Sequence, residues 1–174
     1  PYYTSYGNSV SSAGDINNDG FDDVIIGAPG FDNPTINEGL VFAYYGSEGG
    51  LSSTPDWVAE QNQISSNFGY SVSKAGDING DNYDDILIGA PYYDNGQLDE
   101  GAVFVYYGST DGLSLDALWV NESNQINSGY GKCVTQAGDV NNDGFDDLII
   151  GAPFGDGSIP NTGVGYVIFG GVFG

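Results

Sequence analysis

Three acidic loops hold most of the chemistry this sequence can offer. They are Asp15-Ile16-Asn17-Asn18-Asp19-Gly20-Phe21-Asp22-Asp23, Asp77-Ile78-Asn79-Gly80-Asp81-Asn82-Tyr83-Asp84-Asp85 and Asp139-Val140-Asn141-Asn142-Asp143-Gly144-Phe145-Asp146-Asp147. With the first Asp as position 1, oxygen-bearing side chains fall at positions 1, 3, 5 and 9: Asp15, Asn17, Asp19, Asp23; Asp77, Asn79, Asp81, Asp85; Asp139, Asn141, Asp143, Asp147. Alternate residues of a tight loop point at one centre. Position 6 is Gly20, Asn82 or Gly144, residue types that tolerate the left-handed backbone of a sharp turn. A hard cation taking six to eight oxygens suits such a loop. Three carboxylates, one amide oxygen, one backbone carbonyl and water would serve calcium. Magnesium, with its stricter octahedron, ranks second. The same residues also favour plain tight turns. Three copies in register, each with its position-9 Asp, weigh toward metal. The loops are not EF-hands, because position 12, which would need a bidentate Glu, is Ile26, Ile88 or Ile150.

Charge and composition narrow the rest. Asp plus Glu is 24 against two Lys and Arg, for a net charge of -22. No basic patch can form, which excludes nucleic acid, heparin-like polyanions and anionic membrane surfaces as direct partners. The absence of His removes Ser-His and Cys-His nucleophile pairs and His-ligated zinc. One Cys allows no intrachain disulfide. Asp22, Asp84 and Asp146 stand beside the position-9 residues, and paired carboxylates can cleave glycosides. A turn role beside the metal is the favoured reading, since a carboxylate committed to calcium carries protons poorly. The chain is therefore expected not to be an enzyme. No apolar run approaches the length of a membrane span. The start at Pro1-Tyr2-Tyr3 implies a removed leader or an excerpt of a longer chain.

The loops belong to a repeat of 62 residues, and the repeat sets the elements that must position them. Tyr6-Gly7, Phe68-Gly69 and Tyr130-Gly131 share the offset. So do the three Gly-Ala-Pro tripeptides at Gly27, Gly89 and Gly151, and the pair Trp57 and Trp119. In the second repeat four apolar runs, 69–75, 85–90, 102–107 and 117–121, are bounded by Gly, Pro, Asp and Asn. Runs apolar throughout suggest strands covered on both faces. Four short strands in tandem copies predict an all-β fold: β-propeller blades of four antiparallel strands, in one domain spanning 1–174 with blades 1–62, 63–124 and 125–174. The counterpart of 113–124 is missing after residue 174, so the third blade lacks its fourth strand. Three blades should not close a ring alone. Either the chain is part of a longer one, the favoured reading, or copies assemble to cover the open edges.

The order of Tyr/Phe-Gly, Asp-x-Asn-x-Asp-Gly/Asn-x-x-Asp and Gly-Ala-Pro resembles the FG-GAP repeats that build the β-propeller of integrin alpha chains and occur in many bacterial secreted proteins. The resemblance covers nearly the whole chain in three copies. It implies a seven-bladed propeller in a complete member, with calcium held by side chains 1, 3, 5 and 9 and by the position-7 carbonyl. Carried over, those carbonyls belong to Phe21, Tyr83 and Phe145, giving three Ca2+ sites. It also implies extracellular or cell-surface adhesion or recognition, with calcium as a brace. Two departures stand out: Asn82 replaces Gly in the second loop, and three blades are not seven.

The functional expectation is a non-enzymatic, calcium-stabilised propeller segment whose partner is a protein, a glycan or other copies of itself. The alternatives are an accessory domain of a secreted carbohydrate- or lipid-active enzyme, and a structural subunit of an extracellular fibre. The segments after Gly-Ala-Pro (30–38, 92–100 and 154–162) have equal lengths and divergent side chains. They are expected to project opposite the acidic loops, either as recognition loops or as unconstrained surface. Tyr44-Tyr45 and Tyr106-Tyr107 are expected to pack between blades. Tyr92-Tyr93 is balanced between packing and sugar stacking. Cys133 is expected to be buried and inert. Asn121-Glu122-Ser123 matches a glycosylation sequon.

Overall fold

The computed structural model describes residues 4–172. It contains eleven strands: β1 (Ser9–Gly14), β2 (Asp23–Ala28), β3 (Leu40–Tyr44), β4 (Trp57–Ala59), β5 (Ser71–Gly76), β6 (Asp85–Ala90), β7 (Ala102–Tyr106), β8 (Trp119–Glu122), β9 (Cys133–Gly138), β10 (Asp147–Ala152) and β11 (Val164–Ile168). They form three antiparallel sheets in the orders β1-β2-β3-β4, β5-β6-β7-β8 and β9-β10-β11. The first two are four-stranded up-and-down blades and the third stops at three strands, as the repeat arithmetic predicts. No helix among the described residues is long and apolar enough to cross a membrane.

The sheets stack through side chains one repeat apart. One core joins Ile25, Val41, Ala43 and Trp57 of the first blade to Phe68, Val72, Ile86, Ile88, Phe104 and Tyr106 of the second. The Trp57 and Tyr106 rings meet edge to face at 4.9 Å, and the indole N–H donates to the Ser114 carbonyl at 3.0 Å. The other core joins Leu87, Val103 and Val105 to Tyr130, Val134, Leu148 and Ile150.

Burial on both faces holds for the middle blade alone. Every residue of β6 and β7 is buried, whereas no residue of β11 is. The cause is position. Leu87 is fully buried, but its equivalent Ile149 is 41% exposed, and Val105 and Val167 differ in the same way at 0% and 50%. On the opposite face Val72 is 6% exposed and its equivalent Val10 is 63%. The outer faces of the two end blades thus carry side chains that the middle blade buries.

Two local devices set the strands. A register shift between Ser12 and Gly14, repeated between Lys74 and Gly76, ends the first strand of a blade as a bulge and turns the chain into the acidic loop. At Gly27 and Gly89 a Cβ would collide with the carbonyl of Gly69 or Gly131 in the next blade. Gly is needed there because two backbones meet.

Candidate metal-binding loops and the opposite surface

The acidic loops share one hydrogen-bond scheme. The position-1 carboxylate accepts the N–H groups of positions 5 and 6: Asp15 Oδ1 from Asp19 at 3.0 Å and Oδ2 from Gly20 at 2.8 Å. Asp77 does the same with Asp81 and Asn82, and Asp139 with Asp143 and Gly144. The side-chain oxygens of Asn17, Asn79 and Asn141 accept the position-5 N–H. Position-5 carboxylates accept the N–H of Phe21, Tyr83 and Phe145. The expected left-handed turn is present at position 6, with φ of 92° at Gly20, 70° at Asn82 and 94° at Gly144. A second left-handed residue, Asn18, Gly80 or Asn142, sits at position 4 and completes the coil.

Position 9 behaves differently. Asp23, Asp85 and Asp147 are fully buried. One oxygen of each accepts the position-2 N–H, from Ile16 (2.9 Å), Ile78 (3.1 Å) or Val140 (2.8 Å). The other accepts from the Gly after the third strand: Gly46, Gly108 or Gly170. These carboxylates pin the loop to its own blade. Burial pushes the Asp85 carboxyl up to about 8, with a further rise from the charges of Asp81 and Asp77, while the Gly108 and Ile78 amides oppose it. Asp23 is raised for the same leading reason, and Asp19 and Asp15 add to it.

Among the described residues no three acidic side chains are drawn into a preformed metal cage. The loop carboxylates instead accept amides, leaving further lone pairs on each oxygen. The donor set fits a hard divalent cation: it is oxygen only, with three carboxylates and one amide per loop, and an ionised buried Asp beside two more carboxylates invites positive charge.

Asp84 and Asp146 have a role that sequence spacing did not reveal. Each reaches back to the preceding blade, where Asp84 Oδ2 accepts the N–H of Asp15 and Asp146 Oδ2 that of Asp77. Each carboxylate is thus engaged at a blade junction. Asp84 also takes the Lys74 ammonium at 2.8 Å.

The remaining candidates divide. Tyr106 lies in the first interblade core and Tyr107 against the second; Tyr45 takes the Leu113 N–H on its hydroxyl. Tyr44 differs, meeting Tyr6 on the outer face of the first blade. Cys133 is exposed rather than buried. Its equivalent Ser71 bonds the Gly131 carbonyl of the next blade, so Cys133 stands where a following blade would pack. Asn121 of the sequon accepts the hydroxyl of the buried Tyr130 at 2.6 Å, which engages its side chain in packing. In the segment after the second Gly-Ala-Pro, Tyr93 packs edge to face on Phe104, while Tyr92 lies near Lys132.

Comparison with known proteins gives a consistent placement. The family described as FG-GAP repeat matches residues 6–50, 68–106 and 134–168. Integrin alpha-8 of Gallus gallus is 32% identical over 164 residues, covering 88% of this chain and 15% of that protein. Phosphatidylinositol-glycan-specific phospholipase D of Bos taurus is 36% identical over 174 residues, covering 93% and 20%. Integrin alpha-5 of Xenopus laevis is 35% identical over 158 residues, covering 84% and 14%. The chain thus spans a fifth or less of the length of these relatives.

Proposed function

This chain belongs to the FG-GAP repeat family, and on that premise we propose that it is a calcium-braced, non-enzymatic segment of an extracellular β-propeller, serving adhesion, recognition or surface assembly. The observation that carries the reading is the identical hydrogen-bond scheme of three oxygen-only loops, each rooted in a buried Asp. Side chains of Asp15, Asn17, Asp19 and Asp23, their equivalents in the other two loops, and the carbonyls of Phe21, Tyr83 and Phe145 would hold the three ions. Calcium, when bound, supplies positive charge that offsets carboxylate repulsion. The chain's own residues do the rest: position 9 anchors each loop to its blade, and Asp84 and Asp146 at position 8 join the second and third blades to the loop of the blade before.

An extracellular setting agrees with the integrin alpha relatives and with oxygen-rich sites of the kind that fill at extracellular calcium levels. The partner is a protein or glycan engaged at the divergent loops, or further propeller blades, including copies of this chain, packed on the outer faces. Binding to cell or matrix surfaces that is present in calcium and lost in chelator is the expected result. Surface binding indifferent to chelator would contradict the brace.

A second reading is supported by the phospholipase D relatives: an accessory propeller beside a lipid- or carbohydrate-active domain, with catalysis elsewhere. Both readings predict no turnover from this segment. Turnover on a glycan or ester panel, abolished by Asp22→Asn or Asp146→Asn with calcium content intact, would overturn the non-enzymatic assignment.

A further inference from the structure

Of the two cations in the chain, Lys74 is paired with Asp84. The other is Lys132. Among the described residues its ammonium makes no ion pair, and it lies 5.8 Å from the centroid of the Tyr70 ring, 5.9 Å from Tyr92 and 4.9 Å from Phe154. Tyr70 and Lys132 follow the Tyr/Phe-Gly turns of the second and third blades, and Tyr92 and Phe154 follow their Gly-Ala-Pro turns. The cluster therefore sits at one blade junction on the surface opposite the acidic loops. Its counterpart at the other junction has Asn8 in place of Tyr70, Gly30 in place of Tyr92, and Tyr70 in place of Lys132. The scaffold is repeated and the cluster is not, which separates it from the packing that every junction shares.

We propose that Lys132, Tyr70, Tyr92 and Phe154 form a binding site for a saccharide bearing a carboxylate, of the uronic acid class. This rests on the recognition reading above and names its ligand. Three ring faces hold the ammonium by cation–π attraction without neutralising it. Its N–H donors stay available for a charge-assisted bond to a carboxylate. Lys132, Tyr70 and Tyr92 are part-exposed and Phe154 is half exposed, so the rings offer an open platform for the apolar face of a sugar. The Tyr70 and Tyr92 hydroxyls make no hydrogen bond among the described residues and can serve sugar hydroxyls. With a net charge of -22 the chain repels dense polyanions. Carboxylates spaced by neutral sugars meet less of that field.

The test titrates the calcium-loaded chain with a tetrasaccharide alternating glucuronic acid and N-acetylglucosamine, with its carboxyl-reduced form, and with an acidic tetrapeptide, by calorimetry or ligand-observed NMR. The acidic tetrasaccharide is expected to bind, and Lys132→Gln to weaken it about tenfold or more, the scale of one charge-assisted bond. Lys132→Arg should retain binding, and the reduced sugar should bind about tenfold more weakly. Tyr92→Leu, which keeps apolar bulk and loses the ring, should also weaken it, so the claim does not depend on one variant folding. No binding, equal binding of the reduced sugar, indifference to Lys132→Gln and Tyr92→Leu, or preference for the peptide would each overturn the site. A chain that binds surfaces in calcium yet ignores the tetrasaccharide keeps the recognition role and loses this site.

Discussion

Oδ2 of Asp84 lies 2.9 Å from the backbone nitrogen of Asp15, 69 residues earlier in the chain. Asp146 and Asp77 repeat the contact at 3.1 Å with the same separation. The backbone reinforces it, with the N–H of Asp84 donating to the Asp15 carbonyl and that of Asp146 to the Asp77 carbonyl. The first two acidic loops are therefore each gripped by the blade that follows. Ordering a loop and packing two blades become one event, which is how a cation held in the loop would brace the stack.

The grip can be measured with an internal control. Asp84→Asn removes a charge-assisted acceptor and the Lys74 partner, and a loss of about 1–2 kcal/mol is expected. Asp22 is exposed and makes no such contact among the described residues, so Asp22→Asn should change stability by less than about 0.5 kcal/mol. Denaturant melts in calcium check the difference, and equal effects would contradict the clamp.

Gly76 and Gly138 have similar left-handed backbones, with φ of 77° and 72°. A Cβ at Gly76 would collide with the Asp146 carboxylate, whereas one at Gly138 meets nothing. Gly138→Ala should cost only the backbone penalty, about 1 kcal/mol. Gly76→Ala should cost clearly more, because it also displaces the clamp. Similar losses in thermal melts would contradict the close approach of Gly76 to Asp146.

Much of this architecture is legible in the sequence because the repeat is strict. A fixed offset places Asp23, Asp85 and Asp147 at the same step of each blade, and the strand runs follow from Gly and Asp punctuation. The left-handed position 6 is equally readable from Gly20, Asn82 and Gly144. Pairings between distant residues are not. The bond from the Gly46 amide to Asp23 spans 23 residues and that from Asp15 to Asp84 spans 69. Neither leaves a local pattern. Cys133 misled because its burial depends on a neighbouring blade, not on its own strand. Lys132 and its three rings come from four separate turns, joined only when blades two and three stack.

Asp85 links stability to pH. In the metal-free chain its carboxyl titrates near 8, against an ordinary value of 3.8, chiefly through burial. A group whose pKa is raised by folding stabilises fully below its unfolded pKa, and the benefit is lost as pH rises through the folded value. In chelator, the melting temperature of the parent should therefore fall relative to Asp85→Asn between pH 5 and 8. In calcium the order should reverse, because the ion takes the ionised carboxylate and the variant loses a donor. A parent-to-variant difference constant across that range in chelator would contradict the assignment.

The outer faces predict association. Val10 and Tyr6 on one side, and Val167 and Phe169 on the other, are half exposed or more. Apolar faces of this kind attract a partner, and a head-to-tail contact closes or propagates according to its rotation. The isolated 174-residue chain should self-associate or aggregate. Salt and calcium should promote this by screening the negative charge. Light scattering that finds a monodisperse monomer with a sharp melt, in calcium at high salt, would contradict the prediction.

The central claim is that calcium in the three loops braces the stacked blades, and a thermal melt in excess chelator followed by calcium add-back tests it most directly. Each site filled only in the folded state adds about 2.7 kcal/mol at a hundredfold excess of metal over Kd. The predicted result is a large fall in melting temperature on chelation, restored by calcium at lower concentration than by magnesium. A melt unchanged in chelator, with metal analysis confirming removal, would contradict it.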